Sequence, residues 1–283
     1  MAVVDSVGLM PLRAQSDPVD VRDDMDFDRR FGGLARLYGA AGAARVWASH
    51  VGVVGIGGVG SWAVEALARS GVAQLTLIDL DHVAESNINR QIHALDNTLG
   101  QAKVLAMRER IAHINPRCDV VGIEAFVDAD NWPQLLQGGQ GRRSTAVDAV
   151  IDACDQVRAK VALAAWAIQT QTLFISVGAA GGKRLAHQVD IEDLSAVTHD
   201  PLLAQMRTRL RKEHGAAREG KKMGVPCVFS CEAVMAPVAS GAVGTDSTLN
   251  CHGYGSAVSV TATFGQCAAG WVLDKISSTP QKV

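Results

Sequence analysis

A glycine-rich turn between an apolar strand and a helix narrows the folds open to this chain more than any other feature. Val51 to Ser61 read V-G-V-V-G-I-G-G-V-G-S, and Gly55, Gly57 and Gly60 fit G-x-G-x-x-G. In that pattern the first glycine makes a tight turn and the second lets a phosphate approach the backbone. The third lets helix and strand pack closely. Gly58 belongs to the same phosphate-facing turn. The start of the helix offers unpaired N–H groups and a positive dipole end to an anion. About 20 residues on, a second apolar strand, Leu75 to Ile78, ends at Asp79, an acid placed to accept hydrogen bonds from ribose hydroxyls. The fingerprint alone suits NAD, FAD and several ATP-using folds.

The order of elements around the turn gives the fold class. Helical sequence from Arg29 to Ala48 precedes it, and the helix after it runs to about Ser70. A polar stretch, D-H-V-A-E-S-N-I-N-R-Q-I-H, follows Asp79, where loops of open α/β sheets line a ligand crevice. The pattern then predicts a helix over Leu99–Ile114, a strand over Val120–Ala125, a short helix near Asp130 and a loop over Gln137–Thr145. A buried strand over Ala146–Ala153 ends in D-A-C-D, before a helix over Val157–Thr170 and a strand over Leu173–Val177. Alternating strands and helices imply an α/β fold, a doubly wound, Rossmann-like, mainly parallel sheet. The later third departs from that rhythm, with a strand over Arg184–Ile191, a basic helix opened by Pro201, and a strand over Val225–Ser230. A small-residue loop over Ala236–Gly255, a strand over Ser256–Val260 and a helix over Thr261–Ile276 complete it. The expected organisation is a mobile acidic tail over 1–28, a nucleotide-binding domain over 29–178, and a smaller antiparallel C-terminal extension over 179–283 packed on it.

Composition excludes several classes. At 283 residues the chain buries a substantial core, and a net charge of −2 gives no global field for nucleic acid. No apolar run reaches the roughly 18 residues of a membrane span, and no signal peptide is visible. Six cysteines are scattered through apolar sequence without a C-x-x-C pair, which suits reduced cytoplasmic thiols rather than disulfides or a structural zinc. The exception to the weak charge is local. Between Gln205 and Gly224 lie Arg207, Arg209, Arg211, Lys212, Arg218, Lys221 and Lys222 against only Glu213 and Glu219, a surface suited to nucleic-acid phosphates.

G-x-G-x-x-G, then I-D-x-D, S-N-x-N-R-Q, Lys103 and D-A-C-D occur in one order, and together they resemble the ubiquitin-activating-enzyme superfamily, the ThiF/MoeB/HesA-like proteins. R-F-G-G-L-A-R-L-Y-G, N-R-Q-I-H-A-L and C-V-F-S look most like the subgroup that dehydrates threonylcarbamoyladenosine in tRNA. The resemblance implies ATP and magnesium as cofactors. It implies that Asp79 holds the ribose, that Asn87, Arg90 and Lys103 contact the triphosphate, and that Asp155 binds magnesium, as a hard oxygen ligand can. Asp155 also reads as a helix N-cap before Gln156. Gln91 would orient Arg90. Relatives donate an arginine finger across a dimer interface. Here Arg30-Phe-Gly-Gly33 replaces that segment, leaving Arg36, or else Arg30, as the substitute.

The implied reaction turns the threonyl carboxylate of threonylcarbamoyladenosine into an acyl-adenylate. The neighbouring carbamoyl group then closes a five-membered ring, aided by the high effective molarity of an intramolecular attack. The tRNA would lie on Arg207, Arg209, Arg211, Lys212, Lys221 and Lys222. Cys231 stands where some superfamily members keep an acyl-accepting thiol, with Lys221 and Lys222 nearby, yet its strand-like surroundings suit a buried inert cysteine. A homodimer and a cysteine desulfurase or sulfur-acceptor system are the partners the resemblance suggests. The alternatives are adenylation of the C-terminus of a sulfur-carrier or ubiquitin-like protein, and a nicotinamide-dependent oxidoreductase.

Overall fold

The computed structural model describes residues 25–137, 146–218, 220–235 and 254–279. Its centre is a seven-stranded sheet built from β1 (His50–Val54), β2 (Gln74–Ile78), β3 (Asp119–Ile123), β4 (Ala149–Asp152), β5 (Leu173–Val177), β6 (Val189–Asp193) and β7 (Pro226–Ser230). The order is β3-β2-β1-β4-β5-β7-β6. Every pairing is parallel except that of edge strand β6 with β7. All residues of β1, β2 and β4 are buried, as expected of parallel strands covered on both faces.

Helices cover the two faces separately. On one lie α2 (Gly33–Ala48), α3 (Gly60–Arg69), α4 (Lys103–Ile114) and α7 (Val258–Ser278). There Val46, Leu67, Met107 and Phe264 share a core with Val51 and Leu75. On the other lie α5 (Val157–Thr170) and α6 (Pro201–Glu213), with Leu163, Leu203 and Met206 packed against Val150 and Phe174. Chain direction diverges at β1, whose neighbours are β2 on one side and β4 on the other. Such a switch point opens a crevice beyond the carboxyl ends of the strands.

Several sequence expectations need correction. Ser256–Val260 is not a strand. Its β-branched Val258 and Val260, like Thr261 after them, enter the first turns of α7, where Val260 and Thr261 are buried. Tertiary packing overrides their weak strand preference. A Cβ on Gly265 of α7 would run into the Val59 carbonyl and lie 2.9 Å from the Ala63 amide, so α7 packs directly on the glycine turn. The mainly parallel sheet with an antiparallel C-terminal part is as expected, and among the described residues that part is the single pair of β6 with β7, while β7 itself joins the parallel sheet and α7 underpins the turn. Strand β6 begins at Val189 rather than Arg184, after a short 3-10 turn over Ala186–Gln188. α4 starts at Lys103, not Leu99, and the helix near Asp130 is a 3-10 turn over Gln134–Gln137.

Helix begins inside the stretch read as tail. α1 (Phe27–Phe31) is capped by Asp26, whose carboxylate accepts the Arg29 N–H at 2.9 Å, and Phe27 meets Trp47 edge-on. Residues 1–24, most of the Gln137–Thr145 loop and residues 236–253 lie outside the described residues.

Candidate nucleotide-binding site

Each wall of the crevice follows from a local feature of the chain. Leaving β1, Gly55 adopts φ +85°, and a Cβ there would lie 2.8 Å from the backbone of Ala153 and Cys154. A Cβ on Gly60 would overlap the Gly55 carbonyl. These two positions accept only glycine, one for its conformation and one for its closeness. By contrast, a Cβ on Gly57 would meet nothing nearer than Gln91 at 4.0 Å, so that backbone faces open space. Among the described residues, the amides of Gly57, Gly58 and Val59 donate to no protein acceptor, and α3 has no side-chain N-cap. Unpaired amides at a helix start form an anion cradle.

The acid and the cations converge on this cradle. Asp79 follows β2, and its carboxylate accepts the Ile56 N–H at 2.5 Å and the Asp81 N–H at 2.8 Å. Burial pushes the Asp79 carboxyl above its usual range, opposed by the nearby Lys103 charge and by those two N–H groups. Lys103 reaches the site because the chain folds back on itself. The Val83 N–H donates to Gln101 O at 2.8 Å and the Lys103 N–H to Asp81 O at 3.0 Å, closing the polar stretch into a loop. The buried Lys103 ammonium pairs with Asp81 at 2.7 Å. An ammonium has three donors, so this pair leaves capacity for an oxyanion. The Arg90 stem crosses Gly58, with Cγ 3.3 Å from where a Cβ would stand, and its guanidinium donates to Ser86 O and Asn89 Oδ1. Asp155 comes from beyond β4. It is exposed and lines the same cleft as Gly55, Gly57, Gly58, Asp79, Arg90 and Lys103.

Other sequence candidates fall elsewhere or act differently. Asn87 does not line the cleft: it is buried, and its Oδ1 accepts the Ala84 N–H at 3.1 Å, holding the 3-10 turn that presents Arg90. Gly60 also stands behind the cleft as a packing residue. Asp155 is not a helix cap, because α5 is capped by Gln156 with no side-chain bond. Arg36 is exposed on α2 and does not line the cleft, and Arg30 donates to Ile114 O at 3.0 Å.

Cys231 is exposed just past β7, not buried, because the strand has ended. In the basic segment, Arg207 donates to Leu194 O and Val197 O, and Arg211 to Ala217 O. Both brace backbone, whereas Lys212, Lys221 and Lys222 are exposed and Arg209 is half-buried.

Sequence reading missed a buried polar cluster under the D-A-C-D turn, Asp152 with Lys160 and Ser176. It also passed over His93, buried with neither ring nitrogen partnered among the described residues. Position alone gave a signal for His93, inside N-R-Q-I-H. None marked Lys160 apart from an ordinary helix lysine.

The donor set fits a nucleoside triphosphate: a carboxylate for ribose, open amides and two cations for phosphates, and one oxygen ligand across the cleft. Magnesium would need phosphate oxygens and water to complete its shell, since no cluster of three His, Cys, Asp or Glu occurs among the described residues.

Fold and site together define a doubly wound α/β protein with a switch-point cleft whose donors fit a nucleoside triphosphate. The chain belongs to the ThiF family, whose sequence profile matches residues 29–282. It is 42% identical over 253 residues to the tRNA threonylcarbamoyladenosine dehydratase of Haemophilus influenzae, covering 89% of this chain and 94% of that one. The Escherichia coli protein of the same name is 43% identical over 257 residues, covering 88% and 93%. The crystal structure of E. coli tRNA N6-threonylcarbamoyladenosine dehydratase in complex with ATP superimposes with a TM-score of 0.79, at 42% identity and 90% and 96% coverage. No described helix is long and apolar enough to cross a membrane.

Proposed function

We propose that this chain uses ATP to dehydrate N6-threonylcarbamoyladenosine in tRNA. The observation that carries the proposal is the cleft itself. Gly57, Asp79, Arg90, Lys103 and Asp155 converge at the switch point of a chain that matches dehydratases along nearly its whole length.

A carboxylate is a poor electrophile, and ATP corrects this. A carboxylate oxygen of the threonyl group attacks the α-phosphorus, the bond to the β-phosphate oxygen breaks, and pyrophosphate leaves. The carbamoyl group of the same molecule then attacks the activated acyl carbon and gives up one N–H proton to solvent, the acyl–oxygen bond to AMP breaks as the ring closes, and AMP departs with the oxygen that is formally lost as water. Arg90, Lys103 and the open amides stabilise the charge that develops on the phosphates. Asp79 orients the ribose. Asp155 is the residue that would hold magnesium, which supplies Lewis-acid neutralisation of phosphate charge when bound. The substrate carries its own nucleophile, so Cys231 has no required part.

The assembly around this core belongs to the same proposal. Arg36 stands outside the cleft of its own protomer, so a finger role for it requires a second copy of the chain, consistent with a homodimer. Among the described residues, the side chains of Arg209, Lys212, Arg218, Lys221 and Lys222 are the cations of the basic segment not committed to backbone contacts, and they would bear the tRNA.

ATP–pyrophosphate exchange separates this reading from carrier-protein activation. The expected result is exchange that depends on tRNA bearing threonylcarbamoyladenosine and is absent with a ubiquitin-like carrier. Exchange driven by the carrier alone overturns it.

A further inference from the structure

Lys160 is completely buried on α5, yet it serves no surface and touches no open cleft. Its ammonium lies 2.7 Å from Val177 O, 3.0 Å from Asp152 Oδ2, 3.2 Å from Ser176 Oγ and 3.4 Å from Asp152 O. Ser176 Oγ donates to the same Asp152 oxygen at 2.7 Å. The other carboxylate oxygen accepts the Cys154 N–H at 3.3 Å and its thiol at 3.0 Å. Burial is the largest influence and disfavours the ammonium, but the charge and hydrogen bond of Asp152, with smaller contributions from Cys154 and Cys227, together hold the Lys160 pKa above its ordinary value. Burial, followed by Asp152, pushes the Cys154 thiol well up, so it serves as a donor rather than as a nucleophile.

A buried ion pair is weak evidence of a stabilising device, because apolar residues often replace such pairs without loss. What distinguishes this one is its position. Asp152 ends β4 and Val177 ends β5, and the next residues of each strand, Ala153 to Asp155 and Gly178 to Ala180, form walls of the nucleotide cleft. The Ala153 carbonyl is also what a Cβ on Gly55 would strike.

We propose that Lys160 is a positioning residue for the nucleotide site. Through Asp152 it fixes the turn carrying Asp155, and through Val177 it fixes the facing wall, so one ammonium sets the width of the cleft. The inference rests on the reading of that cleft as an ATP site.

The test uses the full chain with Lys160→Met and the milder Ser176→Ala. It measures melting temperature, calorimetric ATP affinity with and without magnesium, and hydrogen exchange of the 153–156 amides. Lys160→Met is expected to quicken exchange in that turn and to weaken ATP binding in magnesium by roughly tenfold or more, the usual loss when an orienting partner is removed. The loss without magnesium should be smaller. Ser176→Ala should show the same pattern more weakly at near-normal melting temperature.

If Lys160→Met lowers only the melting temperature, and affinity and exchange stay at wild-type values, the residue is merely structural and the inference is wrong. If that variant does not fold, wild-type affinity and exchange in Ser176→Ala overturn the inference equally. A wild-type protein that fails to bind ATP counts against the nucleotide reading instead.

Discussion

The two sides of the cleft are held by different physics. On the β1 side, short-range pattern does the work: Gly55 turns the chain, Gly60 lets α3 approach it, and Asp79 ties the next strand end to the Ile56 amide. On the β5–β7 side, side chains from distant segments knot the loops together. The Asp200 carboxylate accepts the Ala179 and Leu203 amides, and the buried Lys183 ammonium donates to His199 O, Ser230 O and Glu232 O. Glu232 in turn accepts the Arg184 and Leu185 N–H groups. The first wall is specified by backbone sterics and the second by buried polar groups that must all be satisfied together. The difference explains why a motif can announce one wall and be silent about the other.

The largest expected effect breaks function without breaking either wall. Asp155 is exposed and makes no cap, so Asp155→Ala should leave the melting temperature almost unchanged. Adenylation should fall by roughly 10²–10³-fold, the scale of losing one electrostatic stabiliser of a transition state. Paired measurements of AMP release and thermal melting check this, and normal turnover at ordinary magnesium removes Asp155 from the site.

The next effect sharpens the contrast through pH. His93 follows the N-R-Q stretch in sequence but lies outside the cleft, buried beside Arg110 and Ala106. Burial first, then the charges of Lys103 and Arg110, lowers its pKa to about 4. The unfolded imidazole titrates near 6.5, so between these values the unfolded chain binds the extra proton and stability rises with pH. Above that window His93 contributes no slope. Replacing it with leucine should remove about 3 kcal/mol of acid destabilisation, at about 1.4 kcal/mol per pKa unit. Urea midpoints from pH 4 to 7 measure this, and an unchanged slope means that His93 is not the titrating group.

The sequence was legible where structure depends on neighbours in the chain. The glycine turn, Asp79, α5 and β5 stand where pattern placed them, since each follows from local sterics or periodicity. It was opaque where partners are far apart. Lys183 binds carbonyls 16, 47 and 49 positions away, and Lys160 closes on Ser176 and Val177 of the next strand. The same limit hid the first turn of α7, whose β-branched residues turn helical against the core, and the backbone contacts of Arg207 and Arg211. A row of basic residues in sequence does not reveal which are already committed.

That division of the basic segment yields the smallest predicted effect. Replacing Lys212, Lys221 and Lys222 together with alanine should raise the apparent KM for tRNA several-fold. It should lower the log–log salt slope by about 2 to 3, at roughly 0.7–0.9 per phosphate contact. ATP affinity should hold. Arg207→Ala should do the reverse, costing stability of about 1–3 kcal/mol through two lost charged hydrogen bonds, with little change in salt slope. If the two variants exchange behaviours, the assignment of binding and bracing roles is wrong.

The most direct test of the central claim is mass spectrometry of nucleosides from tRNA incubated with the purified protein, ATP and magnesium. The account predicts that threonylcarbamoyladenosine loses one water only when ATP is present, with one AMP and one pyrophosphate formed per nucleoside converted. Unchanged nucleoside alongside verified ATP binding would contradict it.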